Sequence, residues 1–237
     1  MIFNIITIFP EIFKEYVQAG ILGRASKLGL LDIQINNLRD YTEDKNRTVD
    51  DKPFGGGMGM VMKVEPFLAA ILELKRTDNS KIITFSPSGK KFNQSIATQL
   101  SKVDQLIVLC GRYEGIDERV SQNIADEELS IGDYVLMGGE IPAMTIIESV
   151  SRLIPGVVGK EKFLEERIDN NSAIEYPQFT RPASLDVKNI LSKKNIKNFK
   201  LRGKNIHDLE WGVPEILLSG DHSEILKWRK QRERKIE

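Results

Sequence analysis

Cysteine is nearly missing from this chain: Cys110 stands alone among 237 residues. That excludes a disulfide scaffold and suggests a reducing compartment. Histidine is almost as scarce. His207 and His222 lie far apart, with no Cys or carboxylate at metal-ligand spacing, so no metal site is expected. Net charge is absent, since 34 Lys+Arg balance 34 Asp+Glu. No apolar run approaches a membrane span, and Met1 to Pro10 lacks the basic region and cleavage site of a signal peptide. The expectation is a cytoplasmic protein without a membrane partner. No Gly-x-Ser-x-Gly elbow occurs, so acyl-transfer hydrolysis has no support. Disorder is excluded as well, because 41% of the residues are hydrophobic, an ordinary globular share.

The charge that cancels overall is unevenly placed. From Asp186 to Glu237 there are 13 Lys+Arg and 8 Asp+Glu, a balance of +5. Such asymmetry fits a polyanion near the C-terminus, or simply a solvated helical face. Along the chain, Met1–Phe9 reads as a buried strand stopped by Pro10, and a helical pattern runs from Glu11 to about Lys27. Leu31–Leu38 alternates as a second strand. Arg39–Met60 has almost no periodicity, a length of loop that is usually functional. Then come a helix near Glu65–Arg76, a strand Ile82–Phe85, a helix near Asn93–Lys102 and the strongest strand, Leu106–Cys110. A strand within Glu128–Met137 and a helix from Pro142 to Ile154 close the pattern. Strands alternating with helices predict an α/β fold with a mostly parallel sheet covered on both faces. Val157–Asn171 is polar and helix-poor, a linker or mobile loop. Beyond Arg181 the pattern is helical and basic.

Two glycine-flanked segments are well placed for chemistry. Gly111-Arg-Tyr-Glu-Gly-Ile-Asp117 begins where the best strand ends, the place where ligands of open α/β sheets bind; a plain glycine-flanked turn explains it equally well. Ser130-Ile-Gly-Asp-Tyr-Val-Leu-Met-Gly-Gly-Glu140 repeats the arrangement. Together with Ser86-Pro-Ser-Gly89, these strand ends could form backbone loops around an adenine-sized ligand. Gly55-Gly-Gly-Met-Gly-Met60 fits a nucleotide-binding spacing, but Asp50-Asp-Lys-Pro-Phe54 before it opposes a central strand and no Walker lysine follows. A flexible surface loop is the favoured reading there. Glycines that let the backbone lie against a large ligand are the other. Cys110 and Trp228 are expected to be core residues.

On these residues the sequence resembles the bacterial tRNA (guanine-37-N1)-methyltransferases of the SPOUT superfamily. The matching blocks are Ile6–Pro10, Val49–Met60, Cys110–Arg119, Ser130–Leu136 with Gly138–Glu140, Ser151–Gly156, Tyr176–Pro182 and Val213–Gly220. They run in the same order over nearly the whole chain. The resemblance implies a homodimer whose S-adenosylmethionine lies in a deep trefoil knot, a topology chain pattern could not reveal. It implies a knotted methyltransferase domain over 1–156, a linker loop over 157–175 and a small helical tRNA-binding domain over 176–237. The cofactor is expected against Ser86, Pro87, Ser88, Gly111, Ile131, Gly132, Asp133, Tyr134, Val135, Leu136, Gly138 and Gly139. The implied product is 1-methylguanine at position 37 of tRNA, beside the anticodon, where it keeps the reading frame.

The resemblance also suggests roles. Guanine N1 carries a proton at neutral pH, so a carboxylate must remove it as the methyl arrives. Charge then moves to O6, where Arg152 is the matched stabiliser. Glu114 is matched to the guanine pocket, and Asp50, Arg112 and Arg181 to the substrate side. Three departures stand out. Glu165–Asn170 aligns badly with the family's catalytic segment: counting back from Pro177 puts Arg167 where an Asp belongs, and Asp169 is the preferred base over Glu165 or Glu166. A Lys- and Asn-rich insertion lies between Pro182 and Val213. The chain also stops short of the family's C-terminal extension. A relative that binds RNA or cofactor without catalysis is therefore the alternative expectation.

Overall fold

Two apolar strands, each followed by a glycine- or proline-marked turn, form the centre of a five-stranded sheet. The computed structural model describes residues 1–159, 168–169, 172–196, 199–201, 204–206 and 211–236. The chain divides into two compact units, Met1–Ala173 and Ile174–Ile236. In chain order the first unit runs β1 (Ile2–Thr7), α1 (Glu11–Gln18), α2 (Gly20–Lys27), β2 (Asp32–Asn37), β3 (Asp50–Asp51), β4 (Val61–Met62) and α3 (Val64–Glu73). It continues through β5 (Ser80–Lys91), α4 (Gln94–Leu100), β6 (Gln105–Leu109), α5 (Glu118–Asn123), β7 (Glu127–Ser130) and α6 (Glu140–Ser151). The sheet order is β2-β1-β6-β5-β7, and every neighbouring pair is parallel. The expected α/β architecture is thus present.

Period-two alternation sorts the central strands between two cores. Phe3, Ile5, Leu106, Val108 and Cys110 face one cluster with Phe13, Leu22, Ile96, Leu100, Ile146 and Val150 from α1, α2, α4 and α6. Ile6, Ile107 and Leu109 face the other, with Phe67, Ala70 and Val120 from α3 and α5. Burying each such side chain is worth about 1.5–3 kcal/mol, so both faces must be covered and the strands read as unbroken apolar runs. At the edge, β2 keeps Asp32 and Gln34 toward solvent and alternates instead.

Four expected elements differ in extent. The helix over Glu11–Lys27 is broken, because Ala19 is extended and Gly20 has φ +54°; glycine adopts that conformation without a Cβ penalty. The strand expected at Ile82–Phe85 is longer and interrupted: Phe85 and Lys90 both pair with Leu129, which loops out Ser86–Gly89. The strand within Glu128–Met137 ends at Ser130, and the apolar residues after it are largely exposed, Val135 at 83% and Met137 at 88%. The first residue of the expected linker, Val157, is buried, and its carbonyl accepts from Arg24 Nη2 at 2.7 Å. Most of that linker lies outside the described residues, although Ile168–Asp169 pairs antiparallel with Ser172–Ala173.

The second unit has helices Val187–Lys193 and His222–Arg232, N-capped by Asp186 and Asp221. An antiparallel bridge joins Ser184 to Gly212. Trp228, 8% exposed, stacks edge-on with Phe179 and carries Arg232 over its ring at 4.5 Å. It is a core residue of this unit, as the sequence suggests. Among the described residues no helix is long and apolar enough to cross a membrane.

Candidate active site

The looped-out turn inside β5 and the carboxyl ends of β6 and β7 surround a cavity of about 220 Å³. Parallel strands deliver their loops to one edge, so residues distant in sequence converge there. From β5 come Ser86 and Pro87; from β6 come Gly111, Arg112, Tyr113 and Glu114; from the loop after β7 come Ile131, Gly132, Tyr134, Val135, Leu136, Gly138 and Gly139. Ten of the twelve residues expected to hold the cofactor therefore line one space. Ser88 and Asp133 do not line it. Ser88 is bonded to Ser86 within the looped-out turn, and Asp133 points to Lys91 Nζ at 2.7 Å on the surface.

Glycine is required where the wall is backbone. A Cβ at Gly139 would lie 2.8 Å from Cys110 Cα and 2.9 Å from Gly111 N. The Gly139 N–H donates to Gly111 O at 2.8 Å, which fastens the two loops together. At Gly138 a Cβ would fall 2.5 Å from Arg112 Nε. The loop after β7 is held in shape by Ser130 Oγ, which donates to Gly132 O at 3.0 Å, and by Tyr134 Oη, which donates to Ile131 O at 3.2 Å.

The turn after β6 is tightly determined. Tyr113 has φ +59°, a left-handed conformation unusual for a residue with a Cβ. The turn is closed by Gly115 N–H to Arg112 O at 3.1 Å. The segment from the glycine-rich loop supports it from outside: Glu114 N–H donates to Met60 O at 3.0 Å and Met62 N–H to Gly115 O at 2.9 Å. Gly59 has φ +88°, and a Cβ there would meet Glu114 Cγ at 2.5 Å. Gly59 thus lets the backbone pack against the Glu114 side chain, a contact that neither of the two readings open from sequence named.

Below the turn sits a group the sequence analysis passed over. Glu140 is the first residue of α6 and only 1% exposed. Its Oε1 accepts from Thr7 Oγ1 at 2.8 Å, and its Oε2 lies 2.9 Å from Arg112 Nε, an ion pair whose angles fall outside a hydrogen bond. Arg112 also lies over the Phe9 ring at 4.7 Å. Buried carboxylates persist only when paired, since stranding one costs about 3–5 kcal/mol. Burial pushes the neighbouring Cys110 thiol well above its ordinary pKa; the Glu140 charge adds to this and Arg112 opposes it. The acid after two glycines was visible in the sequence, but an acid opening a helix is ordinary.

The remaining expected residues lie elsewhere. Arg152 caps α6 and lines a separate cavity of about 360 Å³ with Ile21, Gln94, Glu148 and Ser151. Beside that cavity Tyr16 donates to Glu148 Oε2 at 2.8 Å, and burial followed by the Glu148 contact pushes its phenol up to about 12. Asp50 is in β3, paired with Met62. Arg181 is an exposed residue of the second unit. The backbone of Asp169 is in the short hairpin, whereas Glu165, Glu166, Arg167 and His207 lie outside the described residues.

Comparison with known proteins bears on the chain as a whole. The family model for tRNA (Guanine-1)-methyltransferase TrmD matches residues 1–208. The tRNA (guanine-N(1)-)-methyltransferase of Dictyoglomus turgidum is 49% identical over 228 residues, covering 96% of this chain and 83% of that protein. The protein of the same name from Shewanella sediminis is 46% identical over 230 residues, with 96% and 86% covered. That of Geobacter sp. strain M21 is 43% identical over 236 residues, with 99% and 86% covered.

Proposed function

Since the chain belongs to the tRNA (guanine-1)-methyltransferase family, we propose that it transfers a methyl group from S-adenosylmethionine to N1 of guanosine 37 in tRNA. The observation that carries the reading is the glycine-walled cavity in which the looped-out turn of β5 and the loops after β6 and β7 bring Glu114 beside the expected cofactor residues. The donor suits these residues. Phe85, Leu129, Ile131, Leu136 and Pro142 offer apolar walls for a purine, and the loops offer backbone groups for its polar edges.

When bound, S-adenosylmethionine supplies an electrophilic methyl on a sulfonium, so the protein has to orient and deprotonate the acceptor. Glu114 accepts hydrogen bonds from the guanine exocyclic amine. A carboxylate, assigned to Asp169, takes the N1 proton as the N1–methyl bond forms. Arg152 stabilises the negative charge that develops on O6. Arg167 is no candidate for the base, because a guanidinium stays protonated at physiological pH.

In one chain Arg152 and Glu114 line different cavities. The reading therefore includes a homodimer that brings Arg152 of one copy to the cavity of the other. The trefoil knot, a 1–156 catalytic domain, a 157–175 linker, a 176–237 tRNA-binding domain and a cytoplasmic setting belong to the same proposal. The basic balance from Asp186 onward and the paired Arg–aromatic contacts at Trp228 and Tyr176 support the assignment of tRNA to the second unit.

A second reading follows from the count back from Pro177, which puts Arg167 where the resemblance calls for an acid: a relative that binds RNA or cofactor without catalysis. A single-turnover assay with transcript tRNA and methyl-labelled S-adenosylmethionine separates the two. Label appearing in tRNA supports the enzyme, and cofactor binding without transfer supports the impaired relative.

A further inference from the structure

We infer that Glu140, held by Thr7, is a positioning residue: through its ion pair with Arg112 it locks the strained turn 112–115 that carries Glu114 into the cavity. Three segments meet at this one carboxylate. Thr7 ends β1, Arg112 follows β6 and Glu140 opens α6. Thr7 is itself fixed, because its Oγ1 accepts from Phe9 N–H at 3.0 Å while donating to Glu140 at 2.8 Å. Phe9 in turn underlies the Arg112 guanidinium. The network is closed, and every member is buried or half-buried.

Strain makes the lock necessary. A non-glycine residue at positive φ persists only where its surroundings over-determine it, and Tyr113 is such a residue. Its turn is held through backbone hydrogen bonds to Met60 and Met62. The Arg112 N–H meets Met62 Sδ at 3.0 Å, a weak acceptor, so the buried ion pair of Glu140 with the Arg112 side chain is the main restraint from beneath the turn. Gly138 completes the arrangement, since a Cβ there would strike both Arg112 Nε and Glu140 Oε2. Arg112, expected from sequence to touch substrate, is on this account the arm by which Glu140 holds the turn.

Glu140 acts on the acceptor side of the cavity more than on the donor side. The loops expected to hold the donor remain joined by the Gly139 N–H to Gly111 O bond, which does not involve the carboxylate. The inference rests on the methyl-transfer reading for one of its two readouts, and the other is independent of activity.

The experiment compares the wild type with Glu140→Gln, Thr7→Val and Thr7→Ser in the full chain. Hydrogen–deuterium exchange of the amides of residues 112–116 should speed up at least tenfold in Glu140→Gln and measurably in Thr7→Val, but not in Thr7→Ser, which keeps the hydroxyl. Single-turnover methyl transfer at saturating S-adenosylmethionine and tRNA should fall at least tenfold in Glu140→Gln, with the cofactor Kd changed less than threefold and Thr7→Ser close to wild type. Wild-type exchange in both Glu140→Gln and Thr7→Val overturns the inference whatever the activity. So does exchange that rises uniformly across the first unit, which means general destabilisation. A wild type without transfer removes the functional reading instead, and exchange still decides the role of Glu140.

Discussion

Arg152 closes α6 on the far side from Glu114, and the two line separate cavities of the same unit. If Arg152 stabilises charge on O6, Arg152→Ala should lower methyl transfer by about a hundredfold or more, the usual cost of a lost transition-state donor, with S-adenosylmethionine affinity nearly intact. Isothermal titration beside single-turnover rates checks this, and equal losses in both would make Arg152 a donor-site residue. Gly59 gives a second residue-scale test. Its φ of +88° and the 2.5 Å approach of a Cβ to Glu114 Cγ mean that Gly59→Ala must displace Glu114. Misplacing a reacting group by about 1 Å costs about a hundredfold, so transfer should fall by that order while cofactor Kd moves less than threefold. The glycines bracketing the apolar strands marked where loops could meet, but the individual lining residues came from the family resemblance, since spacing alone left a plain turn equally open. Glu140 was not legible, since its significance lies in meeting Thr7, 133 positions away, and no local pattern encodes such a pairing.

At the scale of elements, α5 is instructive. It is a six-residue helix that periodicity cannot reveal, and it is started by Asp117, whose Oδ1 accepts from Arg119 N–H at 2.9 Å. The Arg119 side-chain hydrogen bond holds the Asp117 carboxyl below its ordinary pKa, with the backbone cap and ion-pair charge assisting against some desolvation. A carboxyl depressed in the folded state binds its proton more readily when unfolded, so its stabilisation is present above the ordinary carboxylate range and lost as pH falls through the folded value. Asp117→Asn keeps a capping oxygen and removes the charge. Its melting temperature should lie below wild type at pH 7 and converge with it toward pH 3; a constant gap across that range would contradict the ion-pair account. The strand expected within Glu128–Met137 is present but stops at Ser130, for a related reason. Tyr134–Met137 is apolar like a buried strand, yet it lines a cavity and is left exposed. A sequence cannot distinguish residues kept apolar for a core from residues kept apolar for a ligand or partner.

For the whole molecule, the proposed homodimer is testable because Arg152 and Glu114 line separate cavities of one chain. Mixing inactive Arg152→Ala chains with inactive Glu114→Gln chains should restore a measurable fraction of methyl transfer, because a mixed dimer carries one cavity with both residues intact. No recovery after subunit exchange, or a monomer by sedimentation at assay concentration, would argue against shared sites. The alternation of strands and helices made the parallel sheet legible, since each parallel crossover needs a helix. Its order, β2-β1-β6-β5-β7, was not, because strand order depends on which crossovers leave both faces evenly covered. The central claim is that the cavity between the turn of β5 and the ends of β6 and β7 serves methylation of one base nitrogen. Its most direct test is nucleoside mass spectrometry of transcript tRNA after incubation with the wild-type chain and S-adenosylmethionine. The account predicts a single new nucleoside, 1-methylguanosine, lost when guanosine 37 is replaced and strongly reduced by Glu114→Gln. Methylation at another atom or position, or none with the cofactor bound, would contradict it.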